Sequence, residues 1–257
     1  MIIVFGGTTE GKKVAGFLDR KSMPYLYSTK MESTRFAMDF GEYRFGALDA
    51  DAMTALFEKR GIRVVIDATH PFAAELHENI ARACDRSGIG VIRFERDYRL
   101  PLHLSEKAEI HEAGSFDAAV SLLMKLNPQR VLAATGIQSL DPLRPYWKRR
   151  EMKLRVLFSA RSALTAQKKG FPAGHLIMMN PPGTAEEERH CLMAYGIDCL
   201  LTKESGVSGF LPEKIAAASS LGIPIVLVRR PSLPAALQVV RSLRELGGLL
   251  QQASLRA

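Results

Sequence analysis

Short β-branched apolar runs alternate along the chain with stretches whose apolar positions recur at i, i+3 and i+4, the spacing of strands joined by crossover helices in a parallel sheet. Residues 2–5 form the first run. They lead through Gly6, Gly7, Thr8 and Thr9 into a stretch where Val14, Phe17 and Leu18 share one helical face. The same pattern predicts strands over 25–28, 43–45, 64–68 and 91–94, with helices over about 51–60 and 73–87. A polar stretch over 97–114, containing Pro101, reads as an interdomain connection and divides the chain into domains at 1–100 and 101–257. Beyond it, strands are predicted over 131–134, 154–158, 175–178, 199–202 and 225–228, each pair bracketing a helix-length segment. Residues 233–246 read as a final helix that either half could accept. The expected fold is α/β, duplicated, with about five strands in each half.

Composition adds limits. At 257 residues and 47% hydrophobic the chain can bury the cores of two ordinary domains. No apolar run approaches the roughly 20 residues of a membrane span. An apolar run follows Met1 with no basic leader or cleavage site, so a cytoplasmic location is expected. Cys84, Cys191 and Cys199 form no CxxC pair and read as buried thiols, and His70 and His77 lack the i,i+4 spacing of a helical metal site, so no metal is expected. The net charge of +8 favours an anionic partner. Lys148, Arg149 and Arg150 beside Trp147 have no nucleic-acid fold around them and read as a solvated face; nucleic acid is not expected as a partner.

Ligands of open α/β sheets sit at the carboxyl ends of the strands, and four loops there carry candidate chemistry. Gly6-Gly7-Thr8-Thr9-Glu10-Gly11 could offer a tight turn and helix N–H groups to an anion, or could simply cap the helix through Thr8 or Thr9. It is not a G-x-G-x-x-G fingerprint, and Ser28, Thr29 and Lys30 stand where an acid would close the second strand, which favours a 2′-phosphate if adenosine ribose lies there. Asp67-Ala68-Thr69-His70-Pro71 places an acid, a hydroxyl and an imidazole at the end of an apolar strand. The plainer reading has Asp67 and Thr69 capping the next helix. Thr135-Gly136 is an anion-facing loop or an ordinary turn, and Arg161 a phosphate or carboxylate clamp or a surface ion pair. Thr202-Lys203-Glu204-Ser205-Gly206 suits an anionic group or a structural turn, and lacks the Walker order.

Jointly these segments resemble the precorrin-6A reductase family, known as CobK in the oxygen-dependent cobalamin route and CbiJ in the anaerobic one. The likeness runs in order through GGTTEG, DATHPFA, RFER at Arg93, TG at Thr135, RVL at Arg155, TKESG at Thr202, EKIAAA at Glu213 and GIPIVLVRRP ending at Pro231. DATHPFA is the most specific of them. Two departures stand out: Asn180-Pro181-Pro182-Gly183-Thr184 replaces a GPF-like segment, and Ser208-Gly209 replaces two adjacent glycines.

The resemblance implies two Rossmann-like domains with a cleft between them, and hydride transfer from NADPH or NADH to the tetrapyrrole, a polycarboxylate. Gly6, Gly7, Thr8, Thr9, Thr135, Gly136, Lys203, Ser205 and Gly206 are then candidates for holding the cofactor. Thr69, Arg93, Arg96, Arg155 and Arg161 are candidates for the substrate, although Arg96 could equally be an exposed hinge residue. His70 is the candidate proton donor, oriented by Asp67, or else a structural histidine. The segment YSTK with Gly46-Ala47-Leu48-Asp49 leans towards the anaerobic, cobalt-containing substrate, and transient contacts with neighbouring enzymes of the cobalamin pathway are implied. Two rivals remain. A short-chain dehydrogenase would share the glycine-rich opening, yet no tyrosine has Lys four positions later. A noncatalytic nucleotide- or tetrapyrrole-binding regulator would bind without oxidising a cofactor.

Overall fold

In a computed structural model that describes residues 1–32, 35–95 and 108–255, the alternation resolves into two separately clustered units, residues 1–97 with 231–257 and residues 98–230. The first unit begins with β1 (Ile2–Phe5), α1 (Thr9–Arg20), β2 (Tyr25–Thr29), β3 (Gly41–Phe45), α2 (Ala50–Arg60), β4 (Val64–Asp67), α3 (Ala74–Ser87) and β5 (Val91–Phe94). Every residue of β1, β2 and β5 is buried, as expected of parallel strands covered on both faces. Thr8 caps α1, whose Val14, Ala15 and Leu18 face the sheet. Asp49 caps α2, and Gly61 and Gly88 end α2 and α3 in the left-handed conformation.

The second unit contains β6 (Ile110–Ala113), α4 (Phe116–Leu126), β7 (Val131–Ala133), α5 (Arg144–Trp147), β8 (Met152–Val156), α6 (Ala160–Lys168), β9 (Leu176–Met178), α7 (Ala185–Ala194), β10 (Cys199–Lys203), α8 (Leu211–Ser220) and β11 (Ile225–Val228). Thr184 and Glu187 form a reciprocal capping box at the start of α7. The chain then returns to the first unit as β12 (Leu237–Val240) and α9 (Leu243–Leu255).

Among the described residues the sheets have six strands each, one more than expected, all parallel, in the orders β12-β5-β4-β1-β2-β3 and β6-β11-β10-β7-β8-β9. Both are doubly wound sheets of Rossmann-like order. The direction of winding reverses between β1 and β4 in one and between β7 and β10 in the other. Those reversals are where such sheets open a crevice for ligands, and the four loops picked out by sequence follow these four strands.

Three expectations need correction. Residues 237–240, read as helix, form β12, because Val239 and Val240 pair in register with Arg93 and Phe94 along the β5 edge. Residues 110–113, read as connection, form β6, an edge strand held by β11 and burying Ala113 alone. The strand over 154–158 instead spans 152–156. Leu157 and Phe158 leave it and are 61% and 75% exposed. No helix among the described residues is long and apolar enough to cross a membrane.

Candidate active site

The β1–α1 loop is shaped by Tyr27. A Cβ on Gly6 would stand 2.3 Å from the Tyr27 ring, and one on Gly11 2.7 Å from its hydroxyl, so both glycines are required by packing. Gly7 adopts φ +94 and donates its N–H to Tyr27 Oη at 3.1 Å. Thr8 Oγ1 accepts from Gly11 N at 3.0 Å, which settles the N-cap, and donates to Ala68 O at 2.6 Å, tying the loop to the end of β4. Thr9 is exposed on the first turn of α1. With Gly11 N–H taken by the cap, the Thr9 N–H at the start of the helix still lacks an intrahelical acceptor and suits an anion.

Strand register places Phe5 beside Asp67 and Asp67 beside Arg93. Around Asp67 a sealed polar network forms. Its Oδ1 accepts from Thr69 N (3.0 Å), Thr69 Oγ1 (2.7 Å) and Arg93 Nη1 (2.8 Å), while Oδ2 meets His77 Nδ1 at 2.7 Å. Arg93 also binds Glu95 through Nε (2.7 Å) and Thr69 O through Nη2 (3.0 Å). Burial would raise the Asp67 carboxyl, but the His77 hydrogen bond, the Arg93 charge and the Thr69 hydroxyl outweigh it and hold it below its ordinary range.

This geometry corrects two assignments. The imidazole held by Asp67 is His77, not His70. Arg93 is buried and engaged with Asp67, Glu95 and Thr69, so it is an internal counter-ion instead of a substrate clamp. The capping alternative for Asp67 and Thr69 also fails, since α3 has Ala73 at its N-cap and no side-chain cap. His70 Nδ1 accepts from Phe72 N at 3.2 Å, which leaves Nε2 as the proton-bearing nitrogen of the neutral ring.

A cavity of about 300 Å³ joins the two loops: Gly6, Gly7 and Thr8 line it with Thr69 and His70. Ser28, Thr29, Lys30 and Arg44 complete the β2–β3 side, and Glu75 and Asn79 of α3 the other.

In the second unit, Thr135 is buried and its hydroxyl meets Ser139 Oγ at 2.6 Å, so the loop closes on itself and presents Gly136, at φ +80, nearer the surface. Arg155 is likewise internal. Its Nη1 lies 3.0 and 2.8 Å from the two Glu188 oxygens, with both residues buried, which corrects its assignment to substrate. Arg161 is exposed on the first turn of α6, and Arg96 lies outside the described residues. Burial pushes the Lys203 ammonium, at the end of β10, down to about 8. Ser205 is buried, its Oγ reaching Gly209 O at 3.4 Å; Lys214 Nζ donates to the same carbonyl at 2.5 Å. A Cβ on Gly209 would stand 2.2 Å from Ser205 Oγ, so the Ser208-Gly209 departure keeps the glycine this turn needs. Gly206 turns the loop at φ +68. The three cysteines are free and buried; burial pushes Cys84 and Cys199 up to about 12. Lys148 is exposed and stacks 5.0 Å over Trp147.

Sequence reading missed His77, Glu95, Glu188 and Lys214. One signal was present: Arg93 and Glu95 stand two apart at the end of an apolar strand, hence on one face, where charges persist only as a pair.

Comparison with known proteins agrees with this architecture. Residues 1–251 match the family model described as precorrin-6x reductase CbiJ/CobK. Cobalt-precorrin-6A reductase of Methanothermobacter thermautotrophicus is 34% identical over 238 residues, covering 90% of this chain and 77% of the relative. Precorrin-6A reductase of Rhodococcus erythropolis is 28% identical over 242 residues, covering 93% and 92%. The solved structure of CobK precorrin-6A reductase superposes with a TM-score of 0.80 at 26% identity, covering 98% of this chain and 96% of the other. The chain belongs to the precorrin-6x reductase CbiJ/CobK family and is an oxidoreductase of cobalamin biosynthesis.

Proposed function

We propose that the chain reduces precorrin-6A or cobalt-precorrin-6A to the 6B level with hydride from a nicotinamide dinucleotide, NADPH or NADH. The observation that carries this reading is the first-unit cavity, in which the glycine loop after β1 and the His70 loop after β4 line one space at the winding reversal. The donor set fits a dinucleotide: a positive-φ glycine, a helix N-terminus in need of acceptors, and hydroxyls and cations at the end of β2.

When bound, the reduced nicotinamide supplies the hydride, and the chain's task is placement and proton delivery. Thr9, on the first turn of α1, binds a phosphate oxygen through its N–H, and Gly7 and Thr8 shape the turn that lets the phosphate approach. His70 gives the proton from Nε2 to the carbon beside the one reduced. The Asp67, His77 and Arg93 network orients His70 indirectly, by fixing Thr69 and the turn that follows. Arg161, Lys203 and Gly136 serve anionic groups in the second unit, and the +8 charge draws in a polycarboxylate. Cobalt, where present, arrives within the substrate.

The test is an anaerobic assay that offers both macrocycles with each dinucleotide and follows absorbance at the reduced-cofactor band. Loss of that band with one macrocycle supports the reading. Stoichiometric binding without cofactor oxidation would overturn it in favour of a noncatalytic binder. His70→Ala is expected to slow turnover by 10²–10⁴-fold, on the order of a general acid's contribution, with the melting temperature retained.

A further inference from the structure

We infer that Lys214 is a positioning residue for the macrocycle: from the first turn of α8 it holds the turn over 205–210 in the shape that presents the end of β10, with Lys203, to an anionic group. This deepens the reading of the second unit given above and rests on it.

The turn has a shape that a free chain would not keep. Gly206 takes φ +68, and Phe210 takes φ +54 without being a glycine, a left-handed conformation that bulky side chains rarely adopt. Such residues persist where their surroundings over-determine them, and they gather at ligand sites. Backbone bonds do part of the holding: Gly206 O accepts from Gly209 N at 3.0 Å and from Leu211 N at 3.3 Å, and Val207 O from Phe210 N at 2.9 Å. Side chains do the rest. Gly209 O accepts from Lys214 Nζ at 2.5 Å and from Ser205 Oγ at 3.4 Å, so residues before and after the turn converge on one carbonyl. Ser205 N in turn donates to Lys203 O at 2.7 Å, which couples the turn to the strand end where Lys203 stands.

Stability alone does not explain a lysine at 214. It is 5% exposed, and it lies in the first turn of α8, where the positive end of the helix dipole disfavours a cation. Burial opposes its ammonium first; of the charges around it, those of Arg155 and Lys203 also oppose it, while those of Glu188 and Glu213 favour it. Among the described residues no carboxylate pairs with Lys214, and its hydrogen bond goes to the Gly209 carbonyl. A methionine of similar length would fill the space without burying a charge. What the lysine adds is a donor for that carbonyl, at the point where the strained turn closes on α8.

The experiment pairs amide hydrogen exchange, read by NMR on the ligand-free full chain, with steady-state kinetics for the macrocycle. In Lys214→Met the Gly209, Phe210 and Leu211 amides should exchange at least about tenfold faster, the factor carried by 1.4 kcal/mol, with the melting temperature held. The KM for the macrocycle should rise by a similar factor while kcat stays within about twofold, the mark of lost ground-state binding. Lys214→Met/Phe210→Gly should recover most of that KM, because glycine takes the left-handed conformation without being held there. Should Lys214→Met melt early, Ser205→Ala, which removes the longer bond to the same carbonyl, should raise KM in the same direction by a smaller factor. Unchanged exchange with unchanged KM overturns the inference, and so does a fall in kcat at constant KM. A raised KM with unchanged exchange, or with no recovery in the double variant, would mean that Lys214 meets the ligand itself and overturns the positioning role. Each of these results in an active enzyme overturns the inference alone, whereas absence of turnover in the natural chain overturns the reading beneath it as well.

Discussion

Asp67 and His77 face each other at 2.7 Å with both side chains sealed from solvent, joining the end of β4 to the second turn of α3. Asp67 is the hub of the site loop, and its carboxyl is held below the ordinary value of 3.8. The unfolded chain therefore takes up this proton at higher pH than the folded one, so the stabilisation is complete above about pH 5 and lost as pH falls through and below the normal carboxylate range. Replacing His77 by Leu removes a hydrogen bond to a charged group, a loss of about 1.5–3 kcal/mol. Its acid unfolding midpoint, followed by circular dichroism, should move to higher pH than that of the natural chain. An unchanged midpoint would show that His77 contributes nothing to Asp67.

Tyr27 explains why two glycines of the β1–α1 loop are glycines. Gly6→Ala would drive a methyl into the Tyr27 ring, and overpacking of this kind costs about 1–3 kcal/mol. Tyr27→Leu in the same chain should recover part of that loss, because the obstructing ring is gone. Thermal melts of the two single variants and the double variant measure the coupling. Strict additivity would mean that the loop relaxes away from Tyr27 instead.

Lys203 carries a pH signature of its own. With its ammonium brought down to about 8 by burial, it loses positive charge as pH rises through that value. Binding of an anionic ligand at the β10 loop should weaken over the same range. The expected result is an apparent KM for the macrocycle that climbs above pH 8 in the natural chain and stays flat in Lys203→Arg, whose guanidinium remains charged. Parallel profiles would remove Lys203 from ligand binding.

How legible the fold was depended on which strands were central. Runs such as Ile2–Phe5 and Ile225–Val228 are buried along their whole length and read directly from periodicity. The edge strands β6 and β12 bury few residues, so their identity comes from pairing with β11 and β5, contacts that no local pattern encodes. At the site, the loops were legible because chemistry collects where the winding reverses. Partner choice was not: Asp67 could have turned to His70, three residues away, and only the packing of α3 against β4 brings His77 to it instead. Arg93 and Arg155 show the same limit, since an arginine on a strand end looks alike in sequence whether it meets a ligand or an internal carboxylate.

Arg155 and Glu188 give the clearest case of that ambiguity resolved. Both are buried, at 5% and 1% exposure, and Nη2 of Arg155 is buried with no hydrogen-bond partner, so this pair is less than fully compensated. Lys214 stands near enough for its ammonium to feel both charges; burial, then the Arg155 charge, bring it down to about 8. Arg155→Met would leave Glu188 sealed with a weakened counter-ion and should cost about 3–5 kcal/mol. Arg155→Met/Glu188→Leu, which removes both charges, should recover most of that loss, since apolar replacements of comparable bulk can match a buried ion pair. Urea unfolding of the three variants measures it. A substrate-binding Arg155 would behave oppositely: the single variant would fold normally with a raised KM, and deleting Glu188 as well would change stability little.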